Sequence, residues 1–356
     1  MRNISPKPPT RPGLAHDAGV LPPLTPVTLL TSWMFDPLGA ALAVALTWLY
    51  AAAVIRAHRL GARPRWLRTV MFMVLGIGTL VYATCGALAV YRTSLFWVAA
   101  VQAATLSAVT AMGLALGDPV TLAGETLGDK GARRLRSALT GPLPKILMFP
   151  LVSSLLATGS LIVVFFTGYL TLSVSHLLVR EALYAQLLGT GLLVVLPLLG
   201  EDLLPSWCTH PVRALLGFAD GLLDAIPGVL VMTAPALLAP GVTGFSNRSW
   251  GPPPALDQRL GGGAMIAVAE VVGLPLLAAI FVSWVRADDA DARQTDAYLD
   301  AVAVTAAAVT AAAVSHDAGS AAMTAPATSP AGVVPPGPVL DRPWWESDPR
   351  FSDRRS

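Results

Sequence analysis

Three carboxylates in the apolar second half of the sequence lie where they could do chemistry. Asp220 and Asp224 are four residues apart, so they share one face of a helix, and Glu270 lies about two turns into the next apolar run. A charge at the centre of a membrane-spanning helix costs about 2.5–3.5 kcal/mol, so such side chains usually face a bundle interior or water. Their oxygen ligands suit protons or hard cations better than copper. The structural alternative is that they are protonated, or that they pair with Arg180 or a small polar neighbour.

A second polar stretch, Asp257-Gln-Arg-Leu-Gly-Gly-Gly-Ala-Met265, comes at the start of the last apolar run, residues 264–285. Three consecutive glycines cost backbone entropy. We expect them to let the chain turn tightly, and neighbouring backbone approach closely, as the chain re-enters the membrane. Asp257 and Gln258 are predicted either to cap the helix that follows or to bind a ligand.

The composition indicates that membrane-spanning helices position these residues. The chain has 356 residues, of which 54% are hydrophobic and 13% charged, and its mean hydropathy is +0.61. It is too apolar for a soluble protein of this size. A helix needs about 20 apolar residues to cross the hydrocarbon core. We therefore predict an all-α, polytopic membrane protein, a seven-helix bundle formed by residues 38–55, 70–90, 95–116, 146–166, 177–199, 214–238 and 264–285.

Two tails flank the predicted membrane domain of residues 35–286. Residues 1–34 are rich in proline and lack the pattern of a signal peptide, so a flexible tail is predicted. Residues 287–356 are rich in alanine and proline and are predicted to be disordered. Within them, residues 301–314 could form a fraying helix, which is too short for an eighth span. Trp344 and Trp345 are candidates for docking on the bilayer interface or on a partner.

Lysine and arginine are concentrated in the first and third connections between the predicted spans. These residues are Arg56, Arg59, Arg63, Arg65, Arg68, Lys130, Arg133, Arg134, Arg136 and Lys145. By the positive-inside rule both connections face the cytoplasm. We therefore predict that the N-terminus lies outside, that the C-terminus lies in the cytoplasm, and that Asp257 and Gln258 are on the extracytoplasmic side.

Several short motifs occur in order along the predicted bundle. They are Phe35-Asp36-Pro37, Gly61-Ala-Arg-Pro-Arg-Trp66, Val90-Tyr91-Arg92-Thr-Ser-Leu-Phe96, Leu116-Gly-Asp-Pro-Val-Thr-Leu122, Leu196-Pro-Leu-Leu-Gly-Glu-Asp202 and the stretch from Asp257 to Met265. In this order and spacing, residues 33–286 resemble the bacterial cytochrome c oxidase assembly factors of the CtaG type, found with caa-type oxidases. The resemblance implies a multi-pass protein of the bacterial plasma membrane that helps a copper-containing oxidase to mature, through copper delivery on the outer face.

The resemblance also implies histidines near the outer ends of the spans, and here the sequence departs from the family. By this resemblance, the third span of the family carries a His-Met-x-Gln-His cluster. Its two imidazoles share one helix face and suit copper. This chain keeps Gln102 but has Ala99 and Ala103 at the histidine positions. His176 matches a family histidine and is the candidate metal ligand, whereas Asp224 replaces another. Copper is thus the cofactor that the resemblance implies and that the missing imidazoles argue against.

Two classes of function fit these observations. The first is an assembly factor that contacts cytochrome c oxidase subunits or a copper chaperone, with or without holding copper itself. The second is a proton-coupled transporter or channel that uses Asp224 and Glu270. The candidate binding residues are Asp257, Gln258, Gln102, Asp224 and Glu270. The sequence has no nucleophile, base and orienting group in a catalytic pattern, so an enzyme is not predicted. The lipid bilayer is a predicted partner and nucleic acid is not.

Overall fold

Every regular element in the described part of the chain is helical, which confirms the predicted all-α fold class. The computed structural model describes residues 21–61, 65–199 and 210–321. The helices are α1 (Pro26–Thr31), α2 (Pro37–Arg59), α3 (Trp66–Met71), α4 (Thr79–Cys85), α5 (Ala87–Tyr91), α6 (Phe96–Ala104), α7 (Ala111–Leu116), α8 (Pro119–Thr126), α9 (Gly128–Thr140), α10 (Pro142–Leu147), α11 (Pro150–Phe166), α12 (Tyr169–Ser175), α13 (Leu177–Leu199), α14 (His210–Thr233) and α15 (Pro254–Ala321). Two π-helical segments, Phe72–Gly78 and Thr105–Thr110, join α3 to α4 and α6 to α7.

Six helical stretches of the described residues are long and apolar enough to cross a membrane, and the number is seven if a bent pair of helices is counted as one span. The six are Pro37–Arg59, Trp66–Tyr91, Phe96–Thr126, Leu177–Pro197, Ala214–Thr233 and Pro254–Val309. The bent pair consists of α11 and α12, whose axes differ by 68° across Thr167 and Gly168. The prediction of a polytopic membrane protein is confirmed, and the predicted fourth span, residues 146–166, corresponds to α11 of this bent pair.

Several span boundaries differ from the prediction, and at three of them a proline explains the difference. The helix α11 starts at Pro150 and not at residue 146, because proline forces the preceding residue into an extended conformation. The helix α14 ends at Thr233 and not at residue 238, since Pro235 lies just beyond it. The helix α15 starts at Pro254 and not at residue 264, because proline is favoured in the first turn of a helix.

Residues 21–34 pack against the bundle, although their composition predicts a flexible tail. The helix α1 lies in this segment, and Leu29 contacts the central hydrophobic core. The Tyr82 hydroxyl donates to the carbonyl oxygen of Leu29 at 3.1 Å, and the Tyr91 hydroxyl donates to that of Pro22 at 3.0 Å. Backbone carbonyls of the segment are therefore held by tyrosines of the second span.

The helical stretch Phe96–Thr126 forms the centre of the bundle. In its apolar 18-residue segment 78% is buried inside the protein, whereas in the corresponding segment of α2 only 17% is buried. The helix α2 instead exposes Val44, Trp48 and Leu49, as expected for a helix that faces lipid. Small residues allow the close approach at the centre. Gly113 packs directly on the backbone of the π-helical segment Phe72–Gly78, leaving no room there for a Cβ atom.

The described residues 283–321 belong to a second compact unit. They are helical, where the composition predicts a disordered tail. The predicted fraying helix of residues 301–314 lies inside this stretch, in agreement with the high helix propensity of alanine. Trp344 and Trp345 lie outside the described residues.

Candidate functional site at the Asp257 end of the bundle

Asp257 lies in the first turn of α15, so the predicted glycine turn is wrong and glycines 261–263 are inside the helix. The predicted close approach of neighbouring backbone is confirmed. A Cβ atom on Gly261 would lie 2.8 Å from the Phe96 ring, and one on Gly262 would lie 2.7 Å from a backbone nitrogen of α14. These glycines therefore let α15 pack closely against both α6 and α14.

The carboxylate of Asp257 caps a neighbouring helix and not its own. It is fully buried and accepts the N–H of Phe96 at 2.9 Å and the N–H of Trp97 at 3.0 Å. These N–H groups open α6, which receives no cap from Leu95, the residue that precedes it. The first N–H groups of a helix lack intrahelical partners, and a carboxylate there also interacts favourably with the helix dipole. Asp257 thus stabilises the start of the central span.

Arg248 completes this site from the loop between α14 and α15. Its side chain is 7% exposed and pairs with the Asp257 carboxylate at 2.9 Å. It also donates to the carbonyl oxygens of Ser94 at 3.0 Å and Phe245 at 2.7 Å, and to two further carbonyls of its own loop. One ion pair therefore holds both the loop and the start of α6. The sequence alone did not indicate this ion pair, because Arg248 lies in a loop and no sequence motif links it to Asp257.

Both ends of the Gln258 side-chain amide form hydrogen bonds with backbone groups of the protein. Its Oε1 accepts the N–H of Leu238 at 2.7 Å, and its Nε2 donates to the carbonyl oxygens of Val231 at 3.3 Å and Ala236 at 3.2 Å. The side chain is 4% exposed. It therefore satisfies backbone groups left open where α14 ends and the following loop begins.

Gln102 belongs to a second buried polar cluster, at the same end of the bundle. Its Nε2 donates to the carbonyl oxygen of Ala83 at 2.6 Å and to the Tyr184 hydroxyl at 3.0 Å. Arg92 donates to the same hydroxyl at 2.9 Å and to the Ser173 hydroxyl at 2.6 Å. Sequence reasoning missed Tyr184, because a tyrosine in an apolar run carries no signal of its partners.

Arg180 forms two ion pairs at this end of the bundle. Its guanidinium lies 3.0 Å from Asp36 and 3.2 Å from Glu181. The alternative that Arg180 neutralises the sixth-span carboxylates is therefore wrong. Asp220 instead accepts a hydrogen bond from the Ser154 hydroxyl, so the alternative of a small polar neighbour is confirmed for this residue.

The structure brings Asp220 and Asp224 together but leaves Glu270 apart from them. Both aspartates line a mainly apolar cavity of about 60 Å³, with Met112, Met265 and neighbouring residues. Glu270 is exposed on α15 and does not line this cavity. Asp224 and Glu270, the two carboxylates predicted to serve a transport pathway, therefore lie in different surroundings.

Residues 48–287 match the sequence profile of the cytochrome c oxidase caa3 assembly factor family (Caa3_CtaG). The chain belongs to this family. It is also 28% identical over 286 residues to uncharacterised proteins of Mycobacterium bovis and Mycobacterium tuberculosis, and 27% identical over 282 residues to one of Mycobacterium leprae. These alignments cover 77–78% of this chain but 43% of each relative, so the chain spans less than half the length of the curated relatives it matches. No solved structure matches it.

In this member of the caa3 assembly factor family, the positions expected to carry histidines do not form a metal site. Ala99 and Ala103 are each 3% exposed and pack in the hydrophobic core. His176 follows the last residue of α12, and its side chain is exposed. Across residues 21–61, 65–199 and 210–321, no group of three or more His, Cys, Asp or Glu residues could hold a metal ion. The donor set at these positions does not fit copper.

Proposed function

We propose that this caa3 assembly factor family member assists the maturation of a cytochrome c oxidase from within the bacterial plasma membrane, without a catalytic step of its own. The observation that carries the proposal is the family match over residues 48–287, which runs from α2 into α15 and includes the Asp257 site. Its partners would be oxidase subunits or a copper chaperone. Because alanines replace the expected histidines, the protein would support copper delivery by contact with these partners and not as a copper carrier.

Deletion of the gene tests this proposal. Membranes of the deletion strain should contain several-fold less assembled, copper-loaded terminal oxidase, measured by haem spectra, copper content and oxidase activity. A plasmid copy of the wild-type gene should restore the enzyme. Oxidase protein that accumulates without copper would indicate a step in copper delivery, whereas loss of the subunits would indicate a scaffold. Unchanged amounts of active oxidase would contradict the proposed function.

The orientation of the bundle gives a testable prediction. We infer that the basic helix α9 faces the cytoplasm and that the Asp257 end faces outward. In a Cys208→Ser background, a cysteine at Ser137 in α9 should resist a membrane-impermeant thiol reagent in intact cells, whereas one at Ser249 should react. Both positions are exposed in the structure.

Disruption of the cells provides the control for this experiment, because both cysteines should then react. Labelling at Ser137→Cys but not at Ser249→Cys in intact cells would reverse the orientation. The Asp257 end would then face the cytoplasm, and the protein could not act on the oxidase from the extracytoplasmic side through this site.

Copper affinity gives another prediction. Purified protein, loaded with Cu(I) without oxygen and challenged with a Cu(I) chelator, should retain far less than one copper per chain, because Ala99 and Ala103 offer no ligand. His176→Ala is the matched variant and should leave the copper content unchanged. Tight, stoichiometric copper that is lost in His176→Ala would show that this histidine is a ligand. It would contradict the proposal that the protein does not carry copper itself.

Asp220 and Asp224 support a second candidate function, proton-coupled transport, because they face one cavity between helices. The two functions predict different results for Asp224→Asn. An assembly role at the Asp257 end predicts normal oxidase levels when this variant complements the deletion strain. A transport role predicts that Asp224→Asn abolishes complementation although the variant protein is present in membranes.

A further inference from the structure

The third connection between the spans contains two helices, α9 and α10, that stay close to the membrane. The helix α9 packs on α8, the last helix of the central span, and α10 packs on α11, the first helix of the next. The backbone turns at Gly128, which has a φ of 68°, and it is extended at Gly141, between α9 and α10. Spans on both sides therefore hold α9 and α10 at the bilayer surface, at the end of the bundle opposite to Asp257.

The helix α9 has an exposed basic face. Four of its exposed side chains are spaced by three, four and seven residues, so they lie on one side of the helix. They are Lys130, Arg133, Arg134 and Ser137. Ala132 and Leu135 are three residues apart on the other side, and both are half-buried. A basic face opposite an apolar face is typical of helices that lie in a membrane interface.

The basic charge of this connection exceeds its acidic charge. Residues 125–147 contain five basic and two acidic residues, a net charge of +3. These residues are Glu125, Asp129, Lys130, Arg133, Arg134, Arg136 and Lys145. In the ranges that the structure describes, no carboxylate oxygen lies within 4.0 Å of a nitrogen of Lys130, Arg134 or Lys145. All three side chains are exposed, so their charges are available to an anionic partner.

Large apolar side chains are exposed beside these charges. Leu143 and Ile146 are three residues apart on one face of α10, and they are 64% and 60% exposed. Leu127, between α8 and α9, is 53% exposed. An acidic segment of another protein would account for the basic residues alone. A lipid surface accounts for both sets, because its headgroups are charged and its acyl chains are apolar.

We propose that α9 and α10 form a binding surface for anionic phospholipids of the adjacent leaflet. Lys130 and Arg134 contact the headgroup phosphates, and Leu143 and Ile146 insert among the acyl chains. Opposite charge attracts the basic face to an anionic lipid surface, and the apolar side chains add burial that a free phosphate ion cannot provide. The surface is inferred from exposure and charge, and it does not depend on the proposed role in oxidase assembly.

Lipid binding to the full chain in a non-ionic detergent, followed by native mass spectrometry, tests this surface. The wild-type protein should bind phosphatidylglycerol several-fold more tightly than zwitterionic phosphatidylcholine. Arg134→Gln should raise the Kd for phosphatidylglycerol about fivefold, the factor that one basic residue contributes near a membrane surface. The double variant Lys130→Gln with Arg134→Gln should raise it roughly 20-fold. Arg134→Lys keeps the charge and should bind nearly as wild type does.

Arg293→Gln is the matched control, because it removes one exposed arginine from an aspartate-rich part of α15, and it should leave the Kd unchanged. Ile146→Asn should weaken the binding of both lipids, since it removes an apolar contact and no charge.

Three results would overturn the assignment. Equal binding of the two lipids by wild-type protein, or an unchanged Kd in the double variant, would leave an acidic protein segment as the partner of the basic face. Displacement of phosphatidylglycerol by inorganic phosphate would indicate a site for the free ion. If the double variant unfolds at a lower temperature than wild type, Arg134→Gln decides, because it changes a single exposed side chain.

Discussion

Replacement of Asp257 by alanine should be the most damaging single change at the candidate site, with an expected loss of about 3–5 kcal/mol in the free energy of unfolding. The substitution leaves the guanidinium of Arg248 buried without a countercharge, at 7% exposure. It also uncaps the N–H groups of Phe96 and Trp97 at the start of the central span. Thermal unfolding of the purified variant in detergent, with its yield of monodisperse protein, measures this effect.

A surface ion pair supplies the control for Asp257→Ala. Arg68→Ala breaks the pair between Arg68 and Asp118, whose side chains are 46% and 31% exposed, and should cost less than about 1 kcal/mol. The double variant Asp257→Asn with Arg248→Gln should be more stable than the sum of its two single variants predicts, because neither partner is then left charged and buried. Strictly additive losses would show that the pair does not act as a unit.

Replacement of Gly113 by valine should have the second largest effect, a loss of about 1–3 kcal/mol or more. A Cβ atom at this position would overlap the backbone of Leu75 and Gly76 in the neighbouring span. Backbone cannot move aside as the end of a flexible side chain can, so the two spans would have to separate. Because membrane helices associate through close packing, their separation weakens the centre of the bundle.

Gly159→Val is the matched control for this experiment, since a Cβ atom on Gly159 in α11 would meet no other atom within 4 Å. Both variants add the same side chain to a helical glycine, so their difference isolates the clash. Gly113→Val should unfold at a clearly lower temperature than Gly159→Val and yield less folded protein. Equal stability of the two variants would contradict the packing described for the bundle centre.

Part of the candidate site could be predicted from the sequence. The polar pair Asp257 and Gln258 stood out because such side chains are rare beside an apolar run, and the close packing of the glycines after them was also predicted. The identity of their partners could not be predicted. Asp257 caps a helix that begins 161 residues earlier in the chain, at Phe96. Capping patterns within a sequence concern residues a few positions apart, so they cannot reveal a cap that comes from another span.

The sequence alone determined the class of this protein, because the length and apolar content of each span must match the thickness of a bilayer whatever the packing. The order of its motifs also determined the family. Only the tertiary structure decided which polar groups meet. It placed Arg180 beside Asp36 and left Glu270 apart from Asp224. The physical reason is that hydropathy sets how often the chain crosses the membrane, whereas hydrogen bonds and ion pairs between spans depend on helix rotation and contact distance.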